Sequence, residues 1–360
     1  MAPLDVTVDV GAASGDAPPE VAGTPECAAA PSKKRLLWGV LAVVVGVAAC
    51  AAAGLIPTTA VVRIPLAVFG FGALVFALRL ALVARGVRTP VGVVLATAWL
   101  TLIVLATITA DWLPLAEARD PSKTLRTPIL ARPGLGEHLL GTDRQGLDLL
   151  GGIVYGSRVS LTVGVGAAVI AMIVGGAIGM VSGYFRGPLD RVIQFFMTSL
   201  LAFPPLILLM GLAAVLDPTV PNVTMALMVV VIPVFARVAR ASTLVVAQQD
   251  YIQAAKVIGA THRRILVRDV IPAIVQSLIS YALVMVSMLV VAEASLSYLG
   301  LGIPRPEPTL GNIISAGKDQ FNKHPHLVFG PALALFLTVL SLNLLGEHLR
   351  KLWDRREAKV

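Results

Sequence analysis

The chain has 360 residues, 56% of them hydrophobic and 14% charged. Soluble domains carry charge on about a quarter of their residues, so this apolar excess must face something other than water, and a single large soluble core is excluded. The formal net charge of +8 reads as topogenic rather than as a nucleic-acid surface, because Lys and Arg gather in the cytoplasmic loops of membrane proteins.

Residues 1–35 are rich in Ala, Pro, Gly and acids, lack apolar periodicity and end in "SKKR". They predict a disordered cytoplasmic tail rather than a signal peptide, since no apolar run directly follows a positive start. A bilayer core of ~30 Å takes ~20 apolar residues to cross as a helix. Spans of that kind are predicted at Leu36–Ile56, Ile64–Ala84, Val91–Ala110, Ser160–Ser182, Phe195–Leu216, Thr219–Ala236, Ala273–Val291 and Leu327–Leu345. The first two occupy residues 36–86 and the other six residues 90–360. Arg79, inside the second, is placed to snorkel to the interface. Cys27 and Cys50, in the tail and an apolar run, suggest neither a disulfide framework nor a metal site.

Orientation follows from basic residues. With the N-terminus inside, the cytoplasmic segments hold Lys33–Arg35, Arg85, Arg88, Arg186, Arg191, Arg237, Arg240, the basic residues of 253–272 and those of the tail from Arg350. These outnumber the basic residues outside, which are diluted by long acidic loops. Both termini are therefore expected in the cytoplasm. Gly175, Gly179 and Gly183 recur every four residues, with Gly164 and Gly176 nearby. That spacing lines one helix face and lets another backbone approach. Pro204-Pro205, Pro233 and Pro272 are placed to kink or open helices.

Motifs for chemistry are missing. "SAGKD" at Ser315–Asp319 lacks the upstream glycine and the Ser/Thr of a phosphate-binding loop. His324 and His326 flank a proline without a completing Cys or carboxylate pair, and read as surface histidines. Neither G-x-S-x-G nor H-E-x-x-H occurs. Nothing here argues for covalent chemistry, and the expectation is a chain that is not an enzyme and binds no cofactor or metal. Glu293 is the one carboxylate at a span end that could face a pathway. The scarcity of intramembrane acids weighs against an ion-coupled secondary transporter.

Between two apolar runs lies "QAAKVIGATHRRILVRDVIP", Gln253–Pro272. Asp250 can cap a helix, with Gln253 at capping-box spacing. Tyr251, Ala254, Ala255 and Ile258 make a narrow apolar stripe on it. Gly259 stands where a left-handed residue ends a helix. Thr261 can cap a second short helix bearing His262, Arg263, Arg264 and Arg268, and Pro272 opens the next span. The prediction is helix, sharp turn, helix on the cytoplasmic face over residues 249–272. Two readings stay open on composition: insertion into a partner's groove, or an interfacial helix on lipid headgroups.

The stretch resembles the EAA loop of ABC-importer permeases, whose signature is E-A-A, three residues, Gly, nine residues, I-x-L-P. Here "QAA", Gly259 and "DVIP" keep the spacing, with Gln253, Asp269 and Ile271 as replacements. "LGTDRQGLDLLGGIVYGSRVSLTVG" from Leu140, "GYFRGPLD" from Gly183, "LLAFPPLILL" from Leu200, "EASLSYLGLGIPRPEPTLGN" from Glu293 and "NLLGEHLRKLWD" from Asn343 are similar to the dipeptide/oligopeptide branch, its second permease subunit in particular. The resemblance runs from about residue 90 to the C-terminus.

It implies an all-α polytopic membrane protein, a six-span permease core with two extra N-terminal spans, in the bacterial cytoplasmic membrane. It implies as partners a second permease subunit, two cytoplasmic ABC ATPase domains that use ATP and Mg, an extracytoplasmic substrate-binding protein and a peptide substrate, with membrane lipid around and no nucleic acid. Asp250, Tyr251, Gln253, Ala254, Ala255, Gly259 and Pro272 would be the ATPase-coupling residues. A metal chelate or other small solute is the alternative cargo. Departures are Leu147 for the usual Arg, Leu310 for the common Trp, and Phe195 and Thr198 where an Arg and an Asp usually form an intramembrane pair.

Overall fold

The computed structural model describes residues 90–113, 115–134 and 138–357. The predicted tail and the spans at 36–56 and 64–84 lie outside them. The helices are α1 (Val91–Ile108), α2 (Leu149–Phe185), α3 (Gly187–Leu201), α4 (Pro205–Val215), α5 (Val220–Val246), α6 (Asp250–Val257), α7 (His262–Ile265), α8 (Ile271–Tyr298), α9 (Leu310–Gly317) and α10 (His326–Glu357). A π turn over Leu266–Val270 joins α7 to α8. An isolated bridge, Thr142 with Asp148, is the only β pairing among the described residues.

Among the described residues, five helices are long and apolar enough to cross a membrane: α1, α2, α5, the continuous run His262–Tyr298, and α10. The predicted span Phe195–Leu216 is instead two helices, α3 and α4, bent by 86°. The tandem prolines explain the break. Pro204 disfavours helical backbone at the residue before it, while Pro205 takes the first position of α4, where a missing N–H costs little. α2 begins well before the predicted Ser160. Asp148 caps it, Oδ2 accepting from Gly151 N at 2.7 Å.

α2 is the centre of the bundle, and its glycines decide what lies beside it. Gly175, Gly179 and Gly183 press on the backbone of α5 at Ile232, Ala236 and Arg240. A Cβ at Gly175 would lie 2.5 Å from the Ile232 oxygen and one at Gly183 2.8 Å from the Arg240 oxygen; at Gly179 the Ala236 oxygen is closer still. Gly164 and Gly176 turn instead to Val290 and Leu278 of α8. Phe235 of α5, fully buried, meets Tyr281 of α8 edge-on at 5.7 Å. α1 packs on α10, where Trp99 Nε1 donates to Thr338 Oγ1 at 3.1 Å.

α3 buries no residue. Its polar tie is Asp190, which takes two 2.7 Å hydrogen bonds from Arg240 of α5 and one from Ser182 of α2. Phe195 and Phe196 are exposed, as is Thr198.

The seam between α2 and α5 sets a sharp expectation. Gly179→Ala should cost about 1–3 kcal/mol by overpacking, read as a lower thermal midpoint in detergent. Gly211→Ala on α4, where a Cβ meets nothing within 4 Å, should stay within about 0.5 kcal/mol of the parent. Equal midpoints for the two variants would refute the seam.

Candidate functional site

The segment 249–272 is a helical hairpin. Its corner is a Schellman closure: Ala260 N donates to Ala255 O and Gly259 N to Lys256 O, both at 3.0 Å. Gly259 has φ +86°, the left-handed region that a side chain disfavours. α6 before it is anchored by Ile252, which is fully buried in the same apolar cluster as Ile265 and Val270. The predicted stripe omitted Ile252.

Much of that stripe faces outward. Tyr251 is 51% exposed, Ile258 84% and Val257 87%; Ala254 is exposed as well, and Ala255 half-buried. Turn spacing puts Tyr251, Ala254 and Ile258 on one side of the helix, so the hairpin presents apolar side chains away from the bundle. An open groove of about 260 Å³, lined by Leu244, Val245, Gln248, Gln249 and Asp250, adjoins it.

Three local expectations are corrected. The N-cap of α6 is Gln249, without a side-chain cap bond, and Asp250 sits in the first turn, where its charge suits the helix dipole. Gln253 forms no capping box; its Nε2 donates to Ala247 O at 2.8 Å, satisfying a carbonyl left open at the end of α5. Thr261 precedes α7 without a side-chain cap bond. Pro272 takes the second position of α8, as expected. It lies in the continuous run from His262 to Tyr298, where the wider π turn gives its ring room against the preceding turn.

Glu293 is fully buried. Ser160 Oγ of α2 donates to Oε2 at 2.6 Å and Ser297 Oγ to Oε1 at 2.7 Å. Leu310 N, at the start of α9, lies 3.5 Å from Ser160 Oγ, and Gly311 abuts the Ala294 carbonyl. Glu293 thus ties α2, α8 and α9 together. α9 is held by a reciprocal capping box between Thr309 and Asn312, which the sequence reading did not single out although Thr-x-x-Asn is visible. His324 and His326 are half-buried rather than on the surface, their rings edge-on at 5.7 Å.

Comparison with known proteins places this geometry. Residues 153–359 match the family described as binding-protein-dependent transport system inner membrane component. A putative peptide transport system permease protein of Brucella suis is 35% identical over 71% of this chain and 85% of its own length. The glutathione transport system permease protein GsiD of Pectobacterium atrosepticum is 37% identical over 60% of this chain and 72% of its own. GsiD of Escherichia coli is 35% identical over 72% and 84% respectively. Among solved structures, a chain of an inward-facing methionine ABC transporter aligns distantly, with a TM-score of 0.47 at 20% identity, over 56% of this chain and 95% of that one.

Burial makes a prediction for Glu293. Replacing it with Leu leaves two buried hydroxyls without an acceptor and should cost about 1–3 kcal/mol for each group stranded. Glu293→Gln keeps an acceptor and should unfold within about 1 kcal/mol of the parent. Thermal unfolding of the two variants checks this; a Gln variant as unstable as the Leu one would show that the charge itself is required.

Proposed function

The chain belongs to the family of binding-protein-dependent transport system inner membrane components, as the permease subunit of an importer, and from that premise we propose that it carries di- or oligopeptides into the cell. Relatives named for peptide and glutathione transport, at 35–37% identity, support this cargo, since glutathione is itself a tripeptide. A second permease subunit completes the pathway, and two cytoplasmic ATPase domains hydrolyse MgATP, which this chain does not do itself. A binding protein delivers the peptide to the outer loops. Both termini are cytoplasmic.

The observation that supports this assignment most is the hairpin. Exposed Tyr251, Val257 and Ile258 would be unfavourable in water and suit a groove on a partner. In this reading α6 docks in the ATPase domain, with Asp250, Tyr251, Ala254 and Ala255 at or beside the contact. Gly259 forms the corner, Gln253 ties it to α5, and the continuous helix through Pro272 carries the motion to α8. Alternating access is then a shift between two packings, driven by their differential interaction with the ATP-bound partner.

Copurification followed by uptake into proteoliposomes tests the assignment. ATP-dependent uptake of labelled glutathione or an alanyl tripeptide is expected only when ATPase subunits are present; uptake by the isolated chain under an ion gradient would overturn it. Gly259→Val should insert normally yet transport about 5- to 30-fold less, because left-handed backbone costs a side chain about 1–2 kcal/mol and the corner would deform.

A further inference from the structure

Both arms of the hairpin touch one residue of the central helix. Tyr184 lies one residue from the end of α2. Its hydroxyl is 2.9 Å from Nδ1 of His262, the first residue of α7. Lys256 Nζ, from the last turn of α6, lies over the Tyr184 ring at 5.4 Å. Phe185 packs edge-on against both rings, at 5.1 Å from Tyr184 and 5.7 Å from His262. The corner between the arms is free by contrast: a Cβ at Gly259 would meet nothing within 4 Å.

We propose that Tyr184 is the positioning residue through which the hairpin moves α2, gripped by His262 through its hydroxyl and by Lys256 through its ring. The inference rests on the coupling role assigned to the hairpin above. Three features carry it. α6 buries only Ile252, so its hold on the bundle is slight and local contacts decide what it moves. Tyr184 directly follows Gly183, whose missing side chain lets α2 press on the Arg240 carbonyl, so a displacement at Tyr184 acts on the last contact of the α2–α5 seam. Beyond Phe185 the chain reverses at once, through Arg186 at φ 54° and Gly187 at φ 70°, into α3, which buries nothing. One side chain therefore stands between the hairpin and both the seam and the loosest helix. A purely packing role is the alternative, and it would use the Tyr184 ring without the hydroxyl.

The experiment uses the complex purified with its own ATPase subunits, spin-labelled at Ile173 on α2 and Phe329 on α10, both exposed. The distance distribution is compared with and without ATP and vanadate. In the parent, trapping should move most of the population to a new distance. Tyr184→Phe, which keeps the ring, and His262→Ala should each reduce the shifted fraction several-fold while ATP hydrolysis continues. The double variant should be no worse than His262→Ala alone, because Tyr184→Phe removes only the bond that variant has already lost. His262→Asn, which restores an acceptor near the Nδ1 position, should recover most of the shift. A Tyr184→Phe complex of parental stability that shifts like the parent would overturn the proposal, as would additive effects in the double variant. Absence of any ATP-driven shift in the parent would instead overturn the coupling premise, and the proposal with it.

Discussion

Close approach of two backbones governs this molecule. α2 and α5 touch where glycines at 175, 179 and 183 meet the chain of α5 at Ile232, Ala236 and Arg240. In a bilayer no hydrophobic effect drives apolar helices together, so contact between them depends on dispersion and on how near they can come. With side chains at those three positions the helices would stand apart. Phe235 and the α8 contacts through Gly164 and Gly176 would then lose their registration. The other helices take their places around this pair.

The seam was legible because its signal is local: glycine at every fourth position needs only the helical repeat to be understood. Five crossing helices were legible for the same reason, by length and apolarity. The bend at Pro204 was half legible. The prolines announced a disturbance, but the apolar run continuing through them suggested one span, and the 86° angle depends on what the neighbouring helices leave open. The hydroxyl partners of Glu293 were not legible, because Ser160 lies far off in sequence and nothing near Glu293 except Ser297 foretold a closed pair of donors. Ile252 was missed for a different reason. The alanines and Tyr251 formed a more regular stripe, yet that stripe faces away from the bundle, and one isoleucine does the anchoring.

The polar segment between spans becomes intelligible as an economy of attachment. Its second arm is rooted by buried Ile265 and Val270, whereas α6 is fixed by one buried isoleucine, Ile252, one glutamine reaching back to Ala247, and the aromatic junction at Tyr184. Elsewhere it leaves the apolar side chains of Tyr251, Val257 and Ile258 exposed. An element held this lightly can be displaced without unfolding the bundle, because few buried contacts are lost when it moves. The Asp190–Arg240 pair fits the same picture at the start of α3, a charged clasp at the edge of a helix that is otherwise unburied.

The bend between α3 and α4 has a consequence for the company this chain keeps. A helix that stops inside hydrocarbon leaves carbonyl oxygens at its end with no hydrogen-bond donor, and lipid tails can supply none. Pro204 and Pro205 soften the matter on one side, having no amide hydrogens to leave stranded. On the other side the oxygens of Leu200 and Leu201 still need donors. Placed in hydrocarbon, that elbow would have to rest against water or another polypeptide, because lipid alone cannot solvate it.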